Sequence, residues 1–296
     1  MANTVVYNKH SYVTKLRERL DLPTCWKDIM NVTYTNDRTF VKGVITSEPS
    51  VVGGTRGTAY NYEDFTIAAQ TGTINQMYQI PIFIDEADRY QQTYFDQMEI
   101  AAFQGKKINE KLESLLLASH ASWVDFGATD LANTGDDDAT QITVSAANID
   151  DLMRGIKRKI YSNNGVDVAA ENGIFIVWRA SDWLLLEGFA QASGYTEADL
   201  ALKNGIPVQK AFYYGGINHY LSNSHTANHL FAGVRKTGKD LGILRGTYGQ
   251  AKFIEDPAKL SGLGIVSRLD HGFLWPTDST PSTQRLQEMN MDVNVS

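Results

Sequence analysis

No other part of the chain limits the fold as strongly as the stretch from Asp85 to Trp123, DEADRYQQTYFDQMEIAAFQGKKINEKLESLLLASHASW, which has no proline and one glycine. Tyr94, Met98, Ala101, Gly105, Ile108, Leu112, Leu115 and Ser119 recur at alternating steps of four and three, which lines one face of a helix. Asp85, Glu86 and Asp88 crowd its start and Lys106, Lys107 and Lys111 lie in its second half, as the helix dipole favours. At about 1.5 Å per residue, one helix over 85–123 would run for over about 50 Å, well beyond the usual globular helix. Such a rod needs an equally long partner. Gly105 on the seam predicts close approach of another backbone, or a bend. The plainer alternative is a core helix of an ordinary enzyme.

With 296 residues, 43% hydrophobic and 21% charged, the chain can bury a substantial core in one or two domains. The net charge of -7 and pI near 5.4 argue against a dedicated nucleic-acid binder, which carries a basic stripe. The charge is unevenly placed: three lysines face nine acids between Gln91 and Thr143, whereas residues 1–40 carry six basic and four acidic side chains. No apolar run approaches a membrane span and the N-terminus lacks a signal-peptide core, so a soluble intracellular product without a membrane partner is expected. The single Cys25 excludes an intrachain disulfide framework.

Residues 1–40 read as an arm: Thr14–Leu20 could form a short helix stopped by Pro23, and Trp26, Ile29 and Met30 form a small apolar ridge suited to docking elsewhere. From Phe40 to Ile84 the pattern turns to β, an extended hairpin over 41–81 with a glycine-rich tip at Val51–Thr58 and a return through Met77–Ile84; Pro81 suits an edge strand. After the long helix, a polar connection over 127–140 leads into an α/β unit over 144–245. Its amphipathic helix carries Ile149, Leu152, Met153, Ile156 and Ile160, and strands follow at Gly173–Trp178, Ala211–Tyr214, Ile217–Leu221 and His229–Val234. Strands return at Gln250–Ile254, Leu263–Leu269 and Gly272–Trp275, joined by turns around Asp256-Pro257 and Asp270-His271-Gly272, and two of them could partner the long helix. After Pro276 the tail reads as polar and flexible.

The search for chemistry is mostly negative. Gly53-Gly54-Thr55-Arg56-Gly57 lacks the Lys-Ser/Thr of a phosphate loop, and Lys236-Thr237-Gly238-Lys239-Asp240 fails for the same reason. No nucleophile elbow, paired-histidine metal motif or dinucleotide fingerprint occurs. His219, His225 and His229 are the best metal candidates, yet their context reads as a loop without a nearby carboxylate. Asp136-Asp137-Asp138 lacks the alternating ligands of a calcium loop. The expectation is no catalytic residue, no cofactor and no metal.

Three stretches carry a family resemblance: Ile82-Phe83-Ile84-Asp85-Glu86-Ala87 running into the long helix; Gly205-Ile206-Pro207-Val208 through Gly216-Ile217-Asn218-His219-Tyr220-Leu221-Ser222-Asn223 and Leu230-Phe231-Ala232-Gly233; and Gly264–Leu269 with Gly272-Phe273-Leu274-Trp275-Pro276. Together with the order of elements over nearly the whole chain, they resemble the major capsid proteins of tailed bacteriophages, with the Hong Kong 97-like α+β fold. The resemblance implies an N-terminal arm over 1–40 and an E-loop hairpin over 41–81. It further implies a peripheral domain over 82–143 and 246–277 with spine helix 85–123, an inserted axial domain over 144–245 and a C-terminal tail over 278–296. It also implies a shell protein, not an enzyme, that assembles in the host bacterial cytoplasm into hexamers and pentamers of the virion capsid around double-stranded DNA. The expected partners are a separate scaffolding protein, a portal and, in some heads, a decoration protein. Intersubunit contacts would fall on Trp26, Ile29, Met30, Val51, Val52, Arg56, Tyr60 and Tyr62. Lys9, Lys15, Arg17 and Arg19 would face DNA, or equally form intersubunit ion pairs. Some members cross-link subunits from an E-loop lysine to an asparagine; Gly43–Asp85 contains no lysine, so no such bond is expected. The alternatives are an encapsulin-type shell around a cargo enzyme, or an α+β metal-binding enzyme centred on the three histidines.

Overall fold

A computed structural model describes residues 24–45, 53–57, 62, 66–85, 97–132, 138–192, 211–248, 251–254, 262–276 and 286–296. Along these the elements are α1 (Trp26–Ile29), β1 (Asn31–Thr35), β2 (Thr39–Ile45), β3 (Ile67–Thr73), β4 (Gln76–Asp85), α2 (Gln97–Ala118), β5 (Val124–Phe126), α3 (Ala128–Leu131), α4 (Ile149–Ser162), α5 (Val166–Asn172) and β6 (Ile174–Trp178). They continue with α6 (Ala180–Ala192), β7 (Ala211–Tyr214), β8 (Ile217–Leu221), β9 (His229–Val234), β10 (Asp240–Leu244), β11 (Ala251–Ile254), β12 (Gly262–Leu274) and β13 (Asn290–Asn294).

Helix α2 finds its long partner in β12. Gln104, fully buried, donates from Nε2 to the Ile80 and Ile265 carbonyls, each at 2.9 Å, and accepts the Ser267 hydroxyl at 2.6 Å. One amide thus ties the helix to two neighbouring strands. The stripe facing inward is Gln104, Ile108, Leu112 and Leu116, flanked by Glu113 and Leu117. Of the expected seam, Ile108 and Leu112 are buried, whereas Gln104 in place of Gly105 and Leu116 in place of Leu115 face inward, and Ala101, Gly105, Leu115 and Ser119 are half-buried. Three further expectations for this helix are corrected. Asp85 is the last residue of β4, paired with Gly262, so helix cannot begin there. The α-helix ends at Ala118, where the Ser119 hydroxyl returns to the Leu116 carbonyl and a 3-10 turn, His120–Ser122, follows. At Gly105 a Cβ would meet open space, so neither close approach nor steric need explains that glycine. Residues 86–96 lie outside the described residues.

The five-stranded sheet runs β1-β10-β12-β11, with β4 along the other edge of β12 over ten residue pairs. Pro81 lies on β4, whose pairing is with β12 alone among the described strands, consistent with its missing donor. The turn expected at Asp270-His271-Gly272 is absent: β12 continues through it, because Gln76 and Met77 pair on one side while Ile243 and Gly242 pair on the other. Gly272 serves close packing here, since an added Cβ would overlap the Thr73 carbonyl.

The six-stranded sheet runs β5-β13-β9-β6-β8-β7. The apolar residues named for the helix after Ser145 (Ile149, Leu152, Met153, Ile156, Ile160) are all buried on α4 against one face of this sheet. Strand β6, IFIVW, alternates its residues between two cores: Ile174, Ile176 and Trp178 meet α4–α6, while Phe175 and Val177 meet α1 and α2. Burial on both faces explains its unbroken apolar run.

Two boundaries move. Strand β10, within the 144–245 unit, belongs to the other sheet, paired with β1 and β12. The 278–296 tail contributes β13, placed between β5 and β9. Met289, Met291, Val293 and Val295 fill the α4 core, and Asn290, Asp292 and Asn294 occupy the opposite face, so half-polar composition conceals a fully buried strand.

Candidate functional site

A chain without a catalytic motif is best approached through the surface it leaves uncovered. The β2–β3 ribbon pairs from Thr39↔Thr73 to Ile45↔Ile67 and is a sheet of its own. Its base is pinned to the body by Phe40, a buried ring packed on Gly72 of β3 and Gly242 of β10; a Cβ on either glycine would overlap it. Beyond that anchor Lys42 still reaches Asp240 of β10 at 3.1 Å, but the other face of the ribbon is exposed, with Val41 59% and Ile67 61%, and Tyr62, between its strands, is 95% exposed. Arg56 is exposed as well. Val51, Val52 and Tyr60, named with them as contact residues, lie outside the described residues, as do Lys9, Lys15, Arg17 and Arg19.

Trp26, Ile29 and Met30 are not free for a neighbour. All three are at most 1% exposed, in one core with Leu112, Leu116, Phe175 and Phe231. Glu113 explains why. Its buried carboxylate accepts the backbone N–H groups of Cys25 (3.1 Å) and Trp26 (2.9 Å) and the Cys25 thiol (3.0 Å), capping the first turn of α1 from α2. The indole of Trp26 then meets Tyr248 edge-on at 5.9 Å. Residues 31–35, read as arm, are strand β1 of the body. Burial, and secondarily Glu113, pushes the Cys25 thiol well up, so it is a poor nucleophile.

The histidines regroup. His219 is buried between the Trp178 indole, which donates to its Nδ1 at 2.9 Å, and the Tyr214 carbonyl, 3.1 Å from its Nε2. Since Nδ1 accepts, the proton sits on Nε2, and burial holds this ring down at about 3. His225 is also held down by burial, to about 4. Neither joins His229. That residue instead stacks on His120 with ring centroids 3.9 Å apart, and both rings address one carboxylate, Asp292. Neither His120 nor Asp292 was singled out by sequence: they lie 109 and 63 positions from His229, and only the β9–β13 pairing and the turn after α2 bring them together.

No protein-family model matches the chain, and no curated protein sequence matches it. Solved structures do. A Mycobacterium phage Che8 structure superposes with a TM-score of 0.66 at 11% identity, covering 99% of this chain and 98% of that one. The asymmetric unit of the bacteriophage PhiM1 mature capsid gives 0.63 at 12% identity, over 98% and 92%. The fold is the Hong Kong 97-like fold. A virus-like particle from Pyrococcus furiosus shares it at 0.55 and 11% identity, over 92% of both chains. For the Hong Kong 97-like fold an α+β chain with a projecting hairpin and a long helix laid over long strands is the architecture that the sequence order implied. No described helix is long and apolar enough to cross a membrane.

Proposed function

We propose that this chain is a major capsid protein that assembles, in hexamers and pentamers, into an icosahedral head enclosing the double-stranded DNA of a tailed phage. The observation that carries this reading is the end-to-end likeness to the PhiM1 mature capsid chain, 98% of this chain against 92% of that one. The exposed ribbon face supports it: a two-stranded hairpin with exposed Val41, Ile67 and Tyr62 is marginal alone and gains cover from neighbouring copies. On this reading the β2–β3 hairpin over 41–73 acts as the E-loop, since Gln76–Pro81, expected within it, belong to β4 of the β12 sheet; that sheet with α2 acts as the peripheral domain, and the six-stranded unit as the axial domain. The chain is then not an enzyme, and its partners are a scaffolding protein, a portal, packaged DNA met without sequence readout and, in some heads, a decoration protein. Assembly takes place in the host cytoplasm. The lysine-free Gly43–Asp85 stretch supports a shell without E-loop cross-links.

The test is sedimentation and negative-stain microscopy of the chain co-expressed with its neighbouring genes, beside a Val41→Asp/Ile67→Asp variant. Shells, tubes or capsomer rings are expected from the parent and a folded, unassembled chain from the variant. A parent that stays monomeric under all these conditions refutes the proposal. Shells that enclose an enzyme and no DNA would favour the encapsulin-type alternative.

A further inference from the structure

We propose that His120, His229 and Asp292 bind one divalent transition-metal ion, of the class that includes Zn2+, Co2+ and Ni2+, and that the ion fastens the end of α2 to the six-stranded sheet.

The three donors come from three elements: His120 from the 3-10 turn after α2, His229 from the first position of β9, Asp292 from the middle of β13. Their ligand atoms all lie within 4.8 Å of one another. Asp292 offers one oxygen to each ring, Oδ1 to His229 Nδ1 at 2.9 Å and Oδ2 to His120 Nδ1 at 3.3 Å. In a tetrahedral site with bonds of about 2.0–2.2 Å, neighbouring ligand atoms stand roughly 3.3–3.5 Å apart, so one Asp292 oxygen and the two Nδ1 atoms, all within 4.8 Å of one another, need only a modest contraction to enclose an ion. The rings face each other at 3.9 Å and 19°, so binding both Nδ1 atoms requires a modest turn of one or both. They have room to make it: the imidazole side chains are 27% and 23% exposed, while the carboxylate is 3% exposed. Each imidazole would bind through Nδ1 with its proton on Nε2, and water would complete the sphere on the open side.

The surroundings favour a cation. Asp125 pairs directly with Asp292 across β5 and β13, and Asn294 holds its carboxylate at 3.1 Å. Lys159 is directed at the Asp125 carbonyl and the Asp130 carboxylate rather than at Asp292. Two nitrogen donors and one carboxylate suit a borderline ion better than Ca2+ or Mg2+, which want oxygen ligands.

The experiment uses the full-length chain, stripped with a chelator and titrated with ZnCl2 by calorimetry, with far-UV circular dichroism to confirm folding. One saturable ion per chain is expected, together with visible absorption on Co2+ substitution. At about 100 times the dissociation constant, free Zn2+ should raise the folding equilibrium constant about 100-fold. His120→Gln and His229→Gln, both at partly exposed positions, should each weaken binding at least about 10-fold. Asp292→Asn should do so too, but as a buried change it is read only if the variant folds. Calcium and magnesium should leave the melting curve unmoved. No saturable Zn2+ binding by folded protein below about 100 μM would overturn the proposal. So would Zn2+ affinity in both Gln variants equal to that of the parent chain, or a cluster whose stability answers to pH and not to Zn2+.

Discussion

Removing one buried imidazole should change the acid sensitivity of this protein by a calculable amount. His219 sits between a donor and an acceptor that leave no place for a second proton: the Trp178 N–H already points at Nδ1, and Nε2–H is given to the Tyr214 carbonyl. Its pKa is about 3 in the folded chain against an ordinary 6.5. The folded value is depressed, so its contribution to stability is fully present above pH 6.5 and is lost as pH falls toward 3. Each unit corresponds to about 1.36 kcal/mol, so about 2 kcal/mol is lost by pH 5 and between 4 and 5 kcal/mol when the ring protonates in both states. His219→Gln keeps an amide acceptor and donor but cannot titrate. At pH 8 it should be less stable by about 1–3 kcal/mol, because the Trp178 N–H loses its matched partner. At pH 5 the gap should shrink by about 2 kcal/mol, so the two stability curves converge or cross. Urea unfolding of the unassembled chain, followed by tryptophan fluorescence from pH 8 to pH 5, measures this directly. Parallel curves over that range would show that His219 is not held neutral by its burial and would refute the reasoning. His225 and His271, each held down by burial to about 4, have the same sign and contribute to the slope that remains in the variant.

Two further substitutions probe how the hairpin and the first turn are fixed. Glu113→Ala would leave the Cys25 and Trp26 N–H groups unpaired inside the core and should cost about 2–4 kcal/mol in thermal or urea unfolding. Hydrogen exchange should quicken around 24–30, whereas Glu113→Gln, which keeps an acceptor, should cost less; equal effects of both would show that the cap does not hold α1. Gly242→Ala should cost about 1–3 kcal/mol by driving its Cβ into the Phe40 ring. Combining it with Phe40→Leu should recover part of that loss, and simple addition of the two costs would show that ring and glycine are not coupled.

How much of this was legible in the sequence depended on whether one element's pattern decided the outcome. Helix α4 and strands β6 to β9 were readable because their apolar residues follow a period that only one element satisfies, and β6 is apolar at every position. The tail failed for the opposite reason. In Met289–Val295 the apolar half alternates with Asn290, Asp292 and Asn294, whose partners are Lys239, His229 with His120, and Asp125. Without those partners the segment looks like solvated coil. Trp26, Ile29 and Met30 were read as docking anchors because no partner is near in sequence; Glu113, 87 positions from Trp26, supplies it. The metal candidates failed similarly: His219 on β8 and His229 on β9 are held on either side of β6, and His225 lies in the loop between those strands. The Asp270-His271-Gly272 turn failed because glycine can mark either a bend or a crowded crossing, and which one applies is set by Thr73, far away in the chain.

Phe40 then connects fold to assembly on the capsid reading. Two strands alone are marginal in water, so the β2–β3 ribbon needs something at its base and something along its length. The base is supplied within the chain, by one ring lying on two glycines from different sheets. Along its length the described residues supply the Lys42–Asp240 ion pair on one face, while on the other Val41 and Ile67 stay more than half exposed, and Tyr62 is almost wholly so. A hairpin fixed in direction but left uncovered on one face is suited to meet a neighbour without first paying the full entropy of orientation. Loosening the base through Gly242→Ala should therefore slow assembly more than it lowers the stability of the unassembled chain, whereas Val41→Asp/Ile67→Asp should abolish assembly with stability nearly unchanged. If both changes acted only through monomer stability, the ribbon would be an ornament of the fold and not its means of association.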